Sequence, residues 1–152
     1  MAGRLPVRNP SRARKRDPWP RLAIRPTSRT GLGLFAVATF APGDRIAVIE
    51  GETITATYDS RYRLGSRWYG VGPHAWVDPY LDNPGRFVNH SCDPNARIDA
   101  RLAIVALRTI RRGEQVCVDY SLTEEDPEWS MRCRCGAAGC RGVIRAGRVF
   151  EH

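Results

Sequence analysis

Arg86-Phe87-Val88-Asn89-His90-Ser91-Cys92-Asp93-Pro94-Asn95 crowds amide, imidazole, hydroxyl, thiol and carboxylate groups between two prolines, Pro84 and Pro94. A proline disfavours the α region for the residue before it, so the local pattern is loop. A loop this rich in hydrogen-bonding side chains can hold a ligand. It can equally be a buried turn whose Asn and Asp residues cap their own backbone, and these residues alone leave both readings open.

The next informative stretch lies forty residues on, where Cys133-Arg134-Cys135 is followed by Cys140 in a C-x-C-x4-C spacing. Gly136 and Gly139 give the backbone room to fold three thiolates around one ion. Zinc takes four ligands in a tetrahedron, so this segment is one short. Cys92, Cys117 and the three histidines are the candidates for the fourth. Cys117 sits between Val116 and Val118, and strand alternation points it away from the face those valines share. Spacing favours Cys92 over Cys117, and buried free thiols are the plain alternative to a metal site.

Two shorter motifs complete the set. Gly31-Leu32-Gly33-Leu34-Phe35 is a G-x-G turn that lets backbone approach a ligand, but it lacks the third glycine and the βαβ context of a dinucleotide fingerprint. Taken alone it is a glycine-containing hairpin or bulge. Gly113-Glu114-Gln115-Val116-Cys117-Val118-Asp119-Tyr120 is a turn entering a strand, with Val116, Val118 and Tyr120 on one face. Tyr120 in isolation is a core tyrosine with a satisfied hydroxyl.

Around these motifs, short apolar stretches alternate with turn residues, the signature of a β-rich domain. Strands are expected over residues 22–25, 34–37, 45–49, 52–55, 68–71, 75–78, 102–107 and 115–120, with one short helix over 56–64. The 152 residues suit one domain that buries roughly 70% of its unfolded surface. No window approaches the ~20 apolar residues of a membrane span, and the Arg- and Pro-rich start has no apolar signal region. A soluble, intracellular protein is expected, and five cysteines with three close together fit metal ligation better than a disulfide framework. Lys15 is the single lysine among 24 basic residues, a bias of GC-rich, bacterial genomes.

The net charge of +8 is unevenly placed. Residues 1–21 hold seven bases and one acid, leaving 17 bases and 15 acids for the rest. Such a tail is expected to be disordered, or to touch nucleic acid or another polyanion through phosphate contacts. The organisation expected is therefore a basic tail over 1–21, a β domain over 22–126 and a cysteine-rich segment over 127–152.

The four motifs, in this order, resemble the SET-domain protein lysine methyltransferases that carry a post-SET zinc segment. The resemblance covers Leu22 to about Ile144, and its specificity lies in the combination. It implies a mainly β fold of small curled sheets, with the N-H-S-C segment and the D-Y strand threaded in a knot-like arrangement and a zinc-bound cap behind them. It implies S-adenosylmethionine as methyl donor, with Leu32, Gly33, Arg86, Asn89 and His90 lining its pocket and Tyr120 as the catalytic tyrosine. It implies a structural zinc on Cys92, Cys133, Cys135 and Cys140. Val118, Trp68 and Tyr69 would line the substrate channel. Valine at 118, where the family carries Phe or Tyr, leaves room for an amine that already bears methyl groups, so di- or trimethylation is expected.

The chain departs from the family in having no cysteine-rich segment before the domain and a short insert between Thr55 and Trp68, which reduces the walls of a substrate groove. The partner expected is a lysine-containing protein, met by a monomer with no membrane contact, in the cytoplasm of a bacterium or the nucleus of a eukaryote. Two other functions compete with transfer: a SET-fold module that binds a basic peptide or nucleic acid without turnover, and a nucleic-acid binder built on the tail and a zinc knuckle. The near-neutral folded part argues against the last.

Overall fold

In the computed structural model, residues 19–58 and 67–147 are described. The chain folds as a set of small sheets with no α-helix among those residues. β1 (Leu22–Pro26) and β2 (Leu32–Ala36) form an antiparallel hairpin that pairs Ala23 with Phe35 and Arg25 with Gly33. Its turn is closed by Thr30 N–H donating to Thr27 Oγ1 at 2.9 Å and by Gly31, whose φ of 73° lies where only glycine sits without strain.

β3 (Arg45–Val48) lies in a three-stranded sheet with β8 (Ala96–Ile98) and β9 (Ala103–Ala106), in the order β3-β9-β8. β4 (Gly51–Thr55), β5 (Tyr69–Gly72) and β6 (Ala75–Pro79) form a second, in the order β4-β6-β5. β11 (Ser130–Arg132) and β12 (Val143–Arg145) make a hairpin that carries the cysteine-rich segment between its strands.

The pair that builds the site is smaller than any of these. β7 (Asn89–His90) runs parallel to β10 (Cys117–Val118), with Cys117 opposite Asn89 and Val118 opposite His90. Parallel neighbours need a crossover rather than a hairpin, so β8 and β9 lie between them in the chain. Ser91 N–H extends the ladder to Val118 O at 3.0 Å. The two ends of the pair are stopped by 3-10 turns, Pro84–Phe87 before β7 and Tyr120–Leu122 after β10, each capped by a side chain: Asn83 accepts from Gly85 N–H and Asp119 from Ser121 N–H.

Leu34, Phe40, Ile46, Val88, Ile104, Ile110, Val116 and Val118 form one buried core that joins the sheets. Trp76, fully buried, donates its indole N–H to Glu124 Oε1 at 3.1 Å. A buried carboxylate is thereby given a donor rather than left to desolvation alone.

The mainly β class expected from the alternation is the one observed. A strand was expected over residues 115–120: Gln115 bridges to Phe35, Val116 N–H bonds to Leu34 O, Cys117–Val118 pair with β7, and Asp119 then turns the chain into its cap. Residues 56–58 of the expected helix carry no helix, and 59–64 lie outside the described residues, as does the tail up to residue 18. Packing begins before Leu22: Trp19 lies against the core, and the Arg21 guanidinium stacks 4.1 Å over the Phe40 ring. No helix of the described residues is long and apolar enough to cross a membrane.

Candidate active site

A cavity of about 620 Å³ opens between the β1–β2 turn, the start of β5, the β7–β10 pair and the cysteine-rich segment. That volume is within the usual range for small-molecule sites. Asn89, His90 and Tyr120 line its inner wall, Trp68 and Tyr69 another, and Cys133, Cys135 and Ile144 a third.

Tyr120 is placed by the parallel pair. Its hydroxyl donates to Val88 O at 2.7 Å and accepts from Arg67 Nη1 at 3.2 Å. Burial pushes the phenol up to about 12, against a downward pull from the Arg67 guanidinium. At neutral pH the group is a protonated hydroxyl with fixed direction. Tyr69, wholly buried, is raised further by burial and by its neighbour Tyr120, and it donates to Gly85 O.

Asn89 uses its whole amide. Nδ2 donates to Leu32 O at 2.9 Å and to Gln115 Oε1 at 2.8 Å, and Oδ1 accepts from Arg67 Nη1 at 2.9 Å. Gly33 is required for this: a Cβ there would come within 2.5 Å of Gln115 Oε1 and 3.1 Å of Asn89 Nδ2. The G-x-G turn thus serves as the backbone surface against which the asparagine is oriented.

His90 faces two ways. Nδ1 accepts the Tyr120 backbone N–H at 3.0 Å, which leaves the proton of the neutral ring on Nε2, and Nε2 lies 3.3 Å from Cys92 Sγ. The imidazole therefore donates to the sulfur and offers no lone pair on that side.

Ligand atoms of His90, Cys92, Cys133 and Cys135 lie within 4.8 Å of one another. The Cys92 to Cys133 sulfur separation is 3.7 Å. A tetrahedron with ~2.3 Å zinc–sulfur arms has edges of about 3.8 Å, so the spacing fits zinc. The surroundings favour the thiolate at Cys92 and Cys135, whereas burial pushes the Cys133 thiol up to about 12. Burial raises the Cys92 thiol, but the backbone and side chain of Arg141, with His90, bring it down to about 7. Burial likewise opposes Cys135, and the N–H groups of Cys92 and Ala137 bring it to about 6. Cys140 lies outside the group of four but interacts with both Cys133 and Cys135. With Nε2 of His90 carrying its proton, Cys140 is the better fourth donor. Cys117 stands apart, and burial pushes its thiol up to about 11.

Arg141 ties the segment to the site. Its Nη2 pairs with Asp119 at 2.7 Å, and its N–H and Nε both reach Cys92 Sγ at 3.4 Å.

The SET domain family model matches residues 31–121. This chain belongs to the SET-domain family. Its SET domain is 33% identical over 131 residues to the "Histone-lysine N-methyltransferase, H3 lysine-4 specific" of Cryptococcus neoformans, covering 75% of this chain and 9% of that protein. It is 39% identical over 134 residues to "Histone-lysine N-methyltransferase ash1" of Drosophila melanogaster, covering 78% of this chain and 6% of that protein. Drosophila "Histone-lysine N-methyltransferase Set2" is 30% identical over 142 residues, with 83% and 6% covered. The chain spans less than a tenth of the length of these relatives.

Not every residue expected at the site of this SET domain lines its cavity. Arg86 turns away, pairing with Asp78 at 2.9 Å and donating to the carbonyls of Pro79 and Tyr80. Leu32 and Gly33 act through Asn89 rather than from the wall. Val118 is fully buried in the core, and the wall beside Tyr120 is made by Trp68 and Tyr69. Arg67 was not foreseen. It sits at the edge of the short insert with no motif around it, and only the fold brings it to Tyr120. Asn95 was quoted in the motif without a role: its Oδ1 accepts Cys117 N–H at 2.9 Å and its Nδ2 donates to Gln115 O at 2.8 Å, pinning β10.

Proposed function

We propose that this chain transfers a methyl group from S-adenosylmethionine to the side-chain amine of a lysine in a protein substrate. The observation that carries this reading is the neutral Tyr120 hydroxyl, held by Val88 O at the inner end of the cavity beside Asn89 and His90. S-adenosylmethionine bound there would supply a methyl group on a sulfonium, open to in-line displacement by an amine. Asn89, anchored to β2 and to Gln115, and His90, bonded to the Tyr120 N–H, fix the wall against which the donor would lie.

The amine must first be neutral, because an ammonium has no lone pair. At a reference pKa of ~10.4, about one lysine in 2,500 is neutral at pH 7, a penalty of roughly 4.6 kcal/mol. The chain's own residues reduce that penalty. Trp68 and Tyr69 present apolar surface that desolvates an ammonium, and Arg67 opposes a second cation. Two unit charges on the order of 5 Å apart repel by about 3 kcal/mol at an effective dielectric of ~20. No dedicated base is then needed. Tyr120 aligns the acceptor, and proximity supplies much of the acceleration.

Cys92, Cys133, Cys135 and Cys140 would hold zinc in a closed, structural site. Four thiolates leave no open coordination position, so the ion's part is to fold the segment that closes the cavity. The relatives' names carry histones as their substrates, and for this chain the partner is a lysine-bearing protein. Labelled S-adenosylmethionine incubated with the chain and a lysine-containing protein extract tests the reading. Label on lysine in the presence of wild type and its loss with Tyr120→Phe are expected, and cofactor binding without any transfer would leave only a binding module.

A further inference from the structure

We infer that Arg141 is a positioning residue for Tyr120, through which the docked cysteine-rich segment holds the tyrosine's backbone in line for transfer. The inference rests on the transferase reading above. Tyr120 is held at two ends. Its hydroxyl is set by Val88 O and Arg67, and its backbone by its neighbours Asp119 and Ser121 and by His90. The first set lies outside the cysteine-rich segment, whereas the second is fastened to it.

Arg141 supplies that fastening. Gly142, at a φ of 75°, turns the chain directly after it, and the Cys133 N–H closes on Gly142 O at 2.9 Å. From this turn Arg141 Nη2 reaches Asp119 Oδ1 at 2.7 Å, and Nη1 reaches Ser121 Oγ at 3.4 Å. The same Asp119 oxygen accepts the Ser121 N–H at 3.0 Å, the bond that caps the turn begun by Tyr120. It also lies 3.6 Å from His90 Nδ1, the atom that takes the Tyr120 N–H. On its other side Arg141 donates from its backbone N–H and its Nε to Cys92 Sγ, and His90 Nε2 lies 3.3 Å from that sulfur. The contacts run from Cys92 through Arg141 and Asp119 to Tyr120, and back through His90 to Cys92. Gly147 N–H, donating to Ser121 O at 2.7 Å, docks the end of the segment on the same turn.

A guanidinium suits this place because its fork serves a carboxylate and a sulfur at once, whereas an ammonium is a single point. The Asp119 side chain is only 17% exposed, so its charge-assisted bond to Arg141 is poorly replaced by water. Without Arg141 the Ser121 cap survives, but the carboxylate that carries it has lost its anchor. A misplacement of about 1 Å can cost on the order of a hundredfold in rate. Val88 O still holds the hydroxyl end, so about tenfold is expected.

The test uses the full-length, zinc-loaded chain, labelled S-adenosylmethionine and a protein acceptor that the wild type labels. Arg141→Gln should lower kcat about tenfold, with KM for the acceptor and cofactor affinity by calorimetry within about threefold of wild type. Arg141→Lys, which can still pair with Asp119, should recover most of the loss. Asp119→Asn, which keeps an oxygen for the Ser121 cap, should also slow turnover about tenfold. The double variant Arg141→Gln with Asp119→Asn should be close to either single one, where independent effects would multiply to about a hundredfold. Zinc release to a chelator should quicken in Arg141→Gln and stay unchanged in Asp119→Asn, because only Arg141 touches the sulfur. If Arg141→Gln fails to hold zinc, Asp119→Asn carries the same expectation by itself. Turnover of Arg141→Gln within twofold of wild type, single losses that multiply, or full turnover in Asp119→Asn would overturn the inference with methyl transfer intact. Cofactor binding with no transfer by the wild type would instead bring down the transferase reading, and this inference with it.

Discussion

Replacing Asn95 by alanine tests whether β10 is positioned from outside itself. Asn95 is 5% exposed, and its side chain satisfies two backbone groups, the Cys117 N–H at 2.9 Å and the Gln115 carbonyl at 2.8 Å. Neither has another partner that the alanine could restore, and an unsatisfied buried group costs about 1–3 kcal/mol. Two of them, partly relieved by water or relaxation, give about 3 kcal/mol. At roughly 2–4 °C per kcal/mol for a domain of this size, the melting temperature should fall by ~6–12 °C. Thermal unfolding followed by tryptophan fluorescence measures it. Because β10 leads into Tyr120 within two residues, methyl transfer at a temperature where the variant is still folded should also drop, with cofactor affinity less affected. A shift below ~2 °C would mean that β10 holds itself in place and that the side-chain bridge is incidental.

Tyr120→Phe should leave cofactor affinity within a few fold and cut turnover by at least about tenfold, since Val88 O keeps Arg67 as a donor and only the aligning hydroxyl is gone; isothermal calorimetry beside single-turnover kinetics separates the two. Arg67→Met should move the ascending limb of kcat against pH upward by about 1–2 units as the repulsion on the bound substrate ammonium is removed, and an unmoved limb would exclude that role. One zinc per chain is expected by mass spectrometry, lost in Cys92→Ser and kept in Cys117→Ser, with the reverse pattern refuting the ligand set. Tyr69 and Tyr120 are both raised above their unfolded pKa, so their contribution to stability is fully present below pH ~10 and is lost as pH rises towards about 12; melting temperatures from pH 8 to 11.5 should bend downward above 10 in the wild type and less in Tyr69→Phe.

Much of the sheet structure was legible because alternation and turn chemistry act locally. β1 to β6 and β9 fall where apolar stretches meet Gly, Pro or Asp, within a residue or two. β7 was invisible for a physical reason: a two-residue strand has no period, and its partner is set by a crossover rather than by a turn. β11 and β12 escaped notice because Ser130–Arg132 is exposed throughout and Val143–Arg145 buries only Ile144, leaving too few positions to show a face. Among the site residues, the family resemblance led to Asn89, His90, Tyr120 and the cysteines as a group. It could not reveal that Arg86 is engaged with Asp78, because an arginine's reach covers either side of its strand end. Arg67 and Asn95 act on partners 53 and 22 residues away, a relation that exists only once the chain has crossed over.

The parallel pair of β7 and β10 also has a kinetic consequence. It joins residues 28 positions apart through two residues on each side, and nothing in either segment can nucleate it. Closing so long a loop for so few backbone bonds is favourable only after the sheets on either side have fixed its ends. The pocket should therefore be the last part of the chain to appear during refolding and the first to dissolve during unfolding. Recovery of catalytic competence should then trail recovery of bulk fluorescence, with zinc present from the start.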